Sequence, residues 1–140
     1  MNDCAKETAQ RLRTSEQADL LDERGWEELR ILKFRAPRLW IELRQSIESL
    51  CQKMGRAVVE FRLSPPSGLR VKRIAPPAIL TVDFKEGSYR VSYSCGGRRD
   101  EYQIDVDNNG KASFRDAYHR WLAVDEVAGR LLDLLRESRF

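Results

Sequence analysis

The run Asp105–Asp116, DVDNNGKASFRD, sets Asp105, Asp107, Asn109, Gly110 and Asp116 at the spacing of a calcium-ligating loop. Side-chain oxygens from four of these residues, with the Lys111 carbonyl, approach the roughly six to eight oxygens that hard Ca²⁺ takes. The same string also reads as backbone geometry. Asn109-Gly110 offers the positive φ angles of a type I′ turn joining two alternating strands. We expect the hairpin. In that reading Asp105 and Asp107 are solvated carboxylates flanking the turn, and Asp116 adds little to stability.

On those residues the run resembles one EF-hand-type loop, and DVDNNGK resembles a half-repeat of the dockerin family. The resemblance ends at Asp116 and implies a Ca²⁺ ion held by Asp105, Asp107, Asn109 and Asp116. The chain departs from that pattern in three ways. The last ligand position holds Asp, whose arm is shorter than that of Glu. Ala112 stands where such loops carry a branched apolar residue. The entering segment, Glu101–Ile104, alternates like a strand, and no second loop is present to pair with.

Cys95-Gly96-Gly97-Arg98-Arg99-Asp100 is the next candidate. A thiolate beside glycine amides and guanidinium groups would make an anion-binding nucleophile, with His119, the sole histidine, as its base. The alternative, which we expect, is a tight Gly96-Gly97 turn with Cys95 in the core and the arginines solvated. A lone histidine leaves no multi-His zinc cluster, and His119, between Tyr118 and Arg120, reads as a surface or boundary residue. No G-x-G-x-x-G, P-loop, H-E-x-x-H or G-x-S-x-G run occurs, and nothing in the pattern calls for a cofactor. The pairs Asp22-Glu23 and Glu27-Glu28 fall on predicted helices, where solvated faces are the default.

Charge is unevenly placed. Residues 1–55 carry 10 basic and 10 acidic side chains, 56–99 carry 9 and 3, and 100–140 carry 6 and 9. Within the basic middle, Arg62, Arg70, Lys72 and Arg90, with Arg98 and Arg99, are candidates to share a polar sheet face and contact phosphates. Binders of single strands add aromatics on that face, but Tyr89 and Tyr93 alternate in phase with Val91, toward the core. Charged outer faces also serve simply to keep strands from aggregating.

These residues must be positioned by an α+β chain. Leu21, Leu29, Leu32, Ala36, Leu39, Leu43, Ile47, Leu50 and Met54 recur at helical spacing, widened by Trp40 and Cys51. Thr14 or Ser15 is a candidate cap. Pro37 predicts a kink or break, hence two N-terminal helices. Period-two runs then predict a five- to six-stranded antiparallel meander between SPPSG, APPA, KEGS and Gly-Gly turns. For residues 111–119 we expect a last strand, followed by a C-terminal helix capped at Asp125, over a long helix starting near Ser113. Residues 1–14 are expected to be flexible and residues 15–140 to form one domain.

The composition bounds the rest. Across 140 residues, 41% hydrophobic and 34% charged with a net charge of +3 describe a globular domain rather than a disordered tail or a dedicated nucleic-acid binder. Three widely spaced cysteines do not make a secreted disulfide framework, and MNDCAKETAQRLR lacks the apolar run of a signal peptide. A cytoplasmic protein off the membrane is expected. Without a nucleophilic or acid–base set, the leading expectation is a non-enzymatic interaction module. Trp26, Trp40 and Trp121 are candidates for partner contact. Nucleic-acid or anionic-ligand binding through the basic face is the alternative, and a Ca²⁺ loop or a Cys95 enzyme lies further off.

Overall fold

The computed structural model describes the backbone of residues 2–138 and the side chains of residues 25–138. Helical periodicity produces α1, Asn2–Met54, which runs unbroken through Pro37. One helix therefore stands where two were expected. Pro37 cannot donate to the Lys33 carbonyl, but burial of Ala36, Trp40 and Leu43 holds the turns on either side. Lys33 and Phe34 are exposed, so water reaches the turn that lacks the bond. Thr14 and Ser15 lie inside α1 rather than at its start, and the side chains of the expected flexible segment fall outside the described residues. Gly55, at φ 91°, ends the helix, its amide donating to the Cys51 carbonyl at 3.1 Å.

Seven strands follow: β1 (Val59–Ser64), β2 (Gly68–Arg73), β3 (Ala78–Lys85), β4 (Arg90–Cys95), β5 (Arg98–Val106), β6 (Ala112–Arg115) and β7 (Trp121–Leu122). They pair antiparallel in chain order. The expected meander is present, extended by the two-residue β7, which is too short to carry a period-two pattern. The expected strand over 111–119 is β6, and α2 (Val124–Glu137) follows β7, so no long helix starts near Ser113. Asp125 is not its cap. Ala123 occupies that position without a side-chain bond, while Asp125 accepts from the Ser46 hydroxyl at 2.8 Å and ties the start of α2 to α1.

Alternation sorts each strand into two faces. The inner rows, Val71–Leu80–Cys95, Phe84–Val91–Tyr102 and Ile104–Phe114–Leu122, are buried with Leu43 and Ile47 of α1 and Leu131, Leu132 and Leu135 of α2. Trp40 stacks on Phe84 at 5.9 Å between ring centroids. Both helices thus cover one face of the sheet and leave the other open. Leu32 is the first buried residue of α1 among those described.

Candidate interaction face

The strand registers assemble the outer face row by row. Arg62, Arg70, Thr81, Ser94 and Arg99 form one line across β1 to β5. Lys85, Arg90, Gln103, Arg115 and Trp121 form another across β3 to β7. Between and beside them run Glu60–Lys72–Ile79 and Ser64–Gly68–Asp83–Ser92–Glu101. Of the six basic residues singled out in the sequence, the fold brings Arg62, Arg70, Lys72, Arg90 and Arg99 onto this face. Arg98 does not join them. It pairs across the hairpin with Cys95 and lies on the helix-covered side.

Some of the positive charge is balanced within the face. Arg62 reaches Glu60 at 2.6 Å, Arg90 reaches Glu101 at 3.0 Å and Arg115 reaches Asp105 at 3.6 Å. Such exposed pairs add little stability. Arg70, Lys72, Lys85 and Arg99 make no ion pair among the described residues, and they keep the face net positive. Its aromatic content is Trp121, with the Arg115 guanidinium 5.1 Å from the ring centroid. Tyr93 and Tyr102 instead stack on each other at 5.3 Å on the inner side, where burial raises both phenol pKa values.

The calcium-spaced run is a hairpin. Its turn is not the expected type I′, because Gly110, at φ 74°, is the one positive-φ residue in it. Gly110 N–H donates to the Asp107 carbonyl at 3.0 Å and Asp107 N–H to the Lys111 carbonyl at 2.8 Å. That is a type I turn closed by a left-handed residue. Asp107 is not a bystander: its carboxylate accepts from Asn109 N–H at 2.9 Å, Lys111 N–H at 3.0 Å and the Ser113 hydroxyl at 3.2 Å. The Lys111 bond, followed by the others, holds its pKa below the usual carboxylate value.

The next hairpin repeats this geometry nine residues on, an echo that the sequence reading missed. His119 N–H donates to the Asp116 carbonyl at 3.0 Å and Asp116 N–H to the Arg120 carbonyl at 3.1 Å. The Asp116 carboxylate accepts from Tyr118 N–H and Arg120 N–H, each at 2.9 Å, and from Arg120 Nε at 2.9 Å. His119, at φ 62°, takes the place that Gly110 holds in the first turn. Asp116 is thus a structural residue, with its side chain 8% exposed and Arg130 a further 3.6 Å partner. Burial pushes its pKa up, but the bonds from Arg120 and Tyr118 outweigh that and leave it lowered. Among the described residues no cluster of His, Cys, Asp and Glu is arranged to hold a metal ion.

Gly96 and Gly97, at φ 56° and 83°, form the tight turn expected between β4 and β5. Cys95 is buried beneath the end of α2, in a cavity of about 360 Å³ shared with Arg98, Leu134 and Ser138. Burial raises its thiol pKa against the pull of Ser138, Arg73 and Arg98, the opposite of what a thiolate nucleophile needs. The tryptophans part company. Trp40 is core, Trp121 is on the outer face, and Trp26 stands 64% exposed on α1, ahead of the first buried residue described there. A second basic concavity of about 340 Å³, between Arg35 and Arg38 of α1 and Lys111, had no signal in the linear sequence because its parts lie far apart.

No family model, no curated protein and no solved structure matches this chain. Among the described residues no helix is long and apolar enough to cross a membrane.

Proposed function

We propose that this protein is a non-enzymatic intracellular interaction module that docks an acidic protein surface on the open face of its sheet. The observation that carries this reading is the sorting of the faces. Both helices bury one side, and the other is left as an open field of Arg, Lys, Ser and Thr in which several cations have no ion pair among the described residues. Interspersed Glu60, Asp83, Glu101 and Asp105 break the positive field into separate patches, which suits the discrete carboxylates of an acidic protein surface better than the unbroken charge of a phosphate polymer. A cytoplasmic setting fits Cys51 and Cys95, which are free and buried. One observation favours a second reading, contact with nucleic-acid phosphates: Arg62, Arg70 and Arg99 share a single cross-strand line. Base stacking has little to work with, since Trp121 sits at the far edge of the sheet.

Fluorescence anisotropy with labelled polyglutamate and with a mixed-sequence DNA duplex, each over a salt series, tests both readings. The expected result is salt-sensitive binding of polyglutamate that drops at least tenfold on R70E/K72E. A duplex bound more tightly, with a steep salt slope, moves the conclusion to nucleic acid. Binding of neither probe at low salt overturns the use of this face.

A further inference from the structure

The free edge of the sheet at β1 offers a second surface. Ile74 N–H donates to the Val58 carbonyl at 3.1 Å, and Phe84 N–H to the Ser67 carbonyl at 2.8 Å. With the strand registers, these bonds set the parity of β1. Glu60, Arg62 and Ser64 bond to β2, while Val59, Phe61 and Leu63 turn their backbone groups outward. The Val59 amide is already taken by the Gly55 carbonyl at 3.2 Å. Among the described residues, Phe61 and Leu63 keep both groups open, and Val59 keeps its carbonyl. An edge of this kind is a template for another strand, and proteins usually guard it with proline, a bulge or an inward charge. β1 has none of these: its six residues VEFRLS stay in unbroken register with β2, and Val59, Phe61 and Leu63 face the helix side. Leu63 is left 56% exposed.

We propose that β1 pairs antiparallel with β1 of a second copy of this chain, about a two-fold axis at Phe61. Charge selects the occupant and the register. On the outer side Glu60 lies opposite the second copy's Arg62, and Arg62 opposite its Glu60. On the inner side Phe61 meets its twin and Val59 meets Leu63. Phe61 exchanges both of its backbone bonds with its twin, and each Leu63 amide donates to the other copy's Val59 carbonyl. A slip of one residue would set the two inner faces on opposite sides of the joined sheet. A slip of two would place Glu60 on Glu60 or Arg62 on Arg62. The self-complementary register is the one that keeps both sides satisfied. A cleft of about 480 Å³ between the end of α1 and β1, lined by Cys51, Gln52, Val59 and Phe61, gives the incoming Phe61 and Leu63 room on the inner side. The contact is isologous, so pairing closes at two copies rather than growing into a fibre. It does not depend on what the open face binds.

Sedimentation equilibrium of the full chain over a concentration series tests this, with circular dichroism confirming that each variant is folded. Wild type should shift reversibly from 16.3 kDa to twice that mass. E60R sets Arg against Arg across the axis and R62E sets Glu against Glu, so each alone should stay at the monomer mass. An equimolar mixture of E60R and R62E should recover the doubled mass, and so should the swap E60R/R62E within one chain. A wild type that stays monomeric at its solubility limit overturns the proposal. Single variants that dimerise like wild type overturn it too, since the interface would then lie elsewhere. So does a dimeric wild type whose complementary mixture and swap variant both remain monomeric.

Discussion

His119 occupies a backbone conformation that a β-carbon resists. Its φ of 62° is left-handed, in the slot filled by Gly110 in the twin turn. That conformation costs an L-residue about 1–2 kcal/mol, against about 0.5–1 kcal/mol of extra unfolded-state entropy for glycine. His119→Gly should therefore stabilise the fold by up to about 1 kcal/mol, read as a melting temperature higher by about 2–4 °C for a chain of this size. A lower melting temperature would mean that the imidazole makes a contact worth more than the strain. The aspartates opening both turns give a second expectation at this scale. Asp107 and Asp116 have pKa values held below the ordinary carboxylate value, which is about 3.9 when unfolded. A depressed pKa contributes stability that is present above that value and is lost as pH falls through the folded one. Unfolding curves should thus weaken below about pH 4. Asp116→Ala should lower the melting temperature at pH 7 and make the acid limb shallower. An unchanged melting temperature at pH 7 would return Asp116 to the role of a bystander.

At the scale of elements, what could be read from the sequence follows from how local the determining physics is. Val91-Ser92-Tyr93-Ser94-Cys95 alternates over a full strand, and Gly96-Gly97 announces its turn, so β4 and the turn into β5 were legible. β7 was not, because two residues carry no period. The turn before it was hidden as well, since histidine marks a left-handed position far less strongly than glycine does. Pro37 misled for a different reason. Its local cost is real, but burial of Ala36 and Trp40 on the same helix overrides it. The outer basic face was partly legible: period two puts Arg62, Arg70 and Arg90 outward, but which of them share a row depends on registers that only the pairing supplies. Leu43 tests the element that holds this together. It is fully buried where α1 crosses the sheet, so Leu43→Ala should cost about 2–5 kcal/mol in denaturant unfolding. No loss would mean that the sheet is stable without that stretch of α1.

The whole molecule is two layers, sheet and helices, and one polar side chain fastens them where apolar packing ends. Arg73 closes the inner row of β2, and among the described residues it is the one charged residue buried along its whole length, backbone included. Its Nη1 donates to the Leu135 carbonyl at 2.6 Å and to the Arg136 carbonyl at 3.0 Å, its Nη2 donates to the Ser138 carbonyl, and its Nε donates to the Pro76 carbonyl at 2.7 Å. The last turn of a helix leaves carbonyls without internal partners and carries partial negative charge. A buried guanidinium there is hydrogen-bonded and electrostatically complemented at once. The sequence offered no hint of this, since Arg73 reads as one more member of the basic middle and its partners at the end of α2 lie more than sixty residues away. Removing the clamp strips α2 of its C-terminal partner and leaves a hole at the junction of β2, the Pro76 turn and α2. Arg73→Ala should cost at least about 1.5–3 kcal/mol, the net contribution of one charge-assisted hydrogen bond. Arg73→Lys should recover only part of this, because an ammonium cannot present the planar fork that reaches both the Pro76 turn and the α2 carbonyls. Amide exchange should locate the damage, with faster exchange in the last turns of α2 and near-wild-type protection in β5 and β6. Uniformly faster exchange across the sheet would show instead that Arg73 supports the global fold and not the seam between its layers.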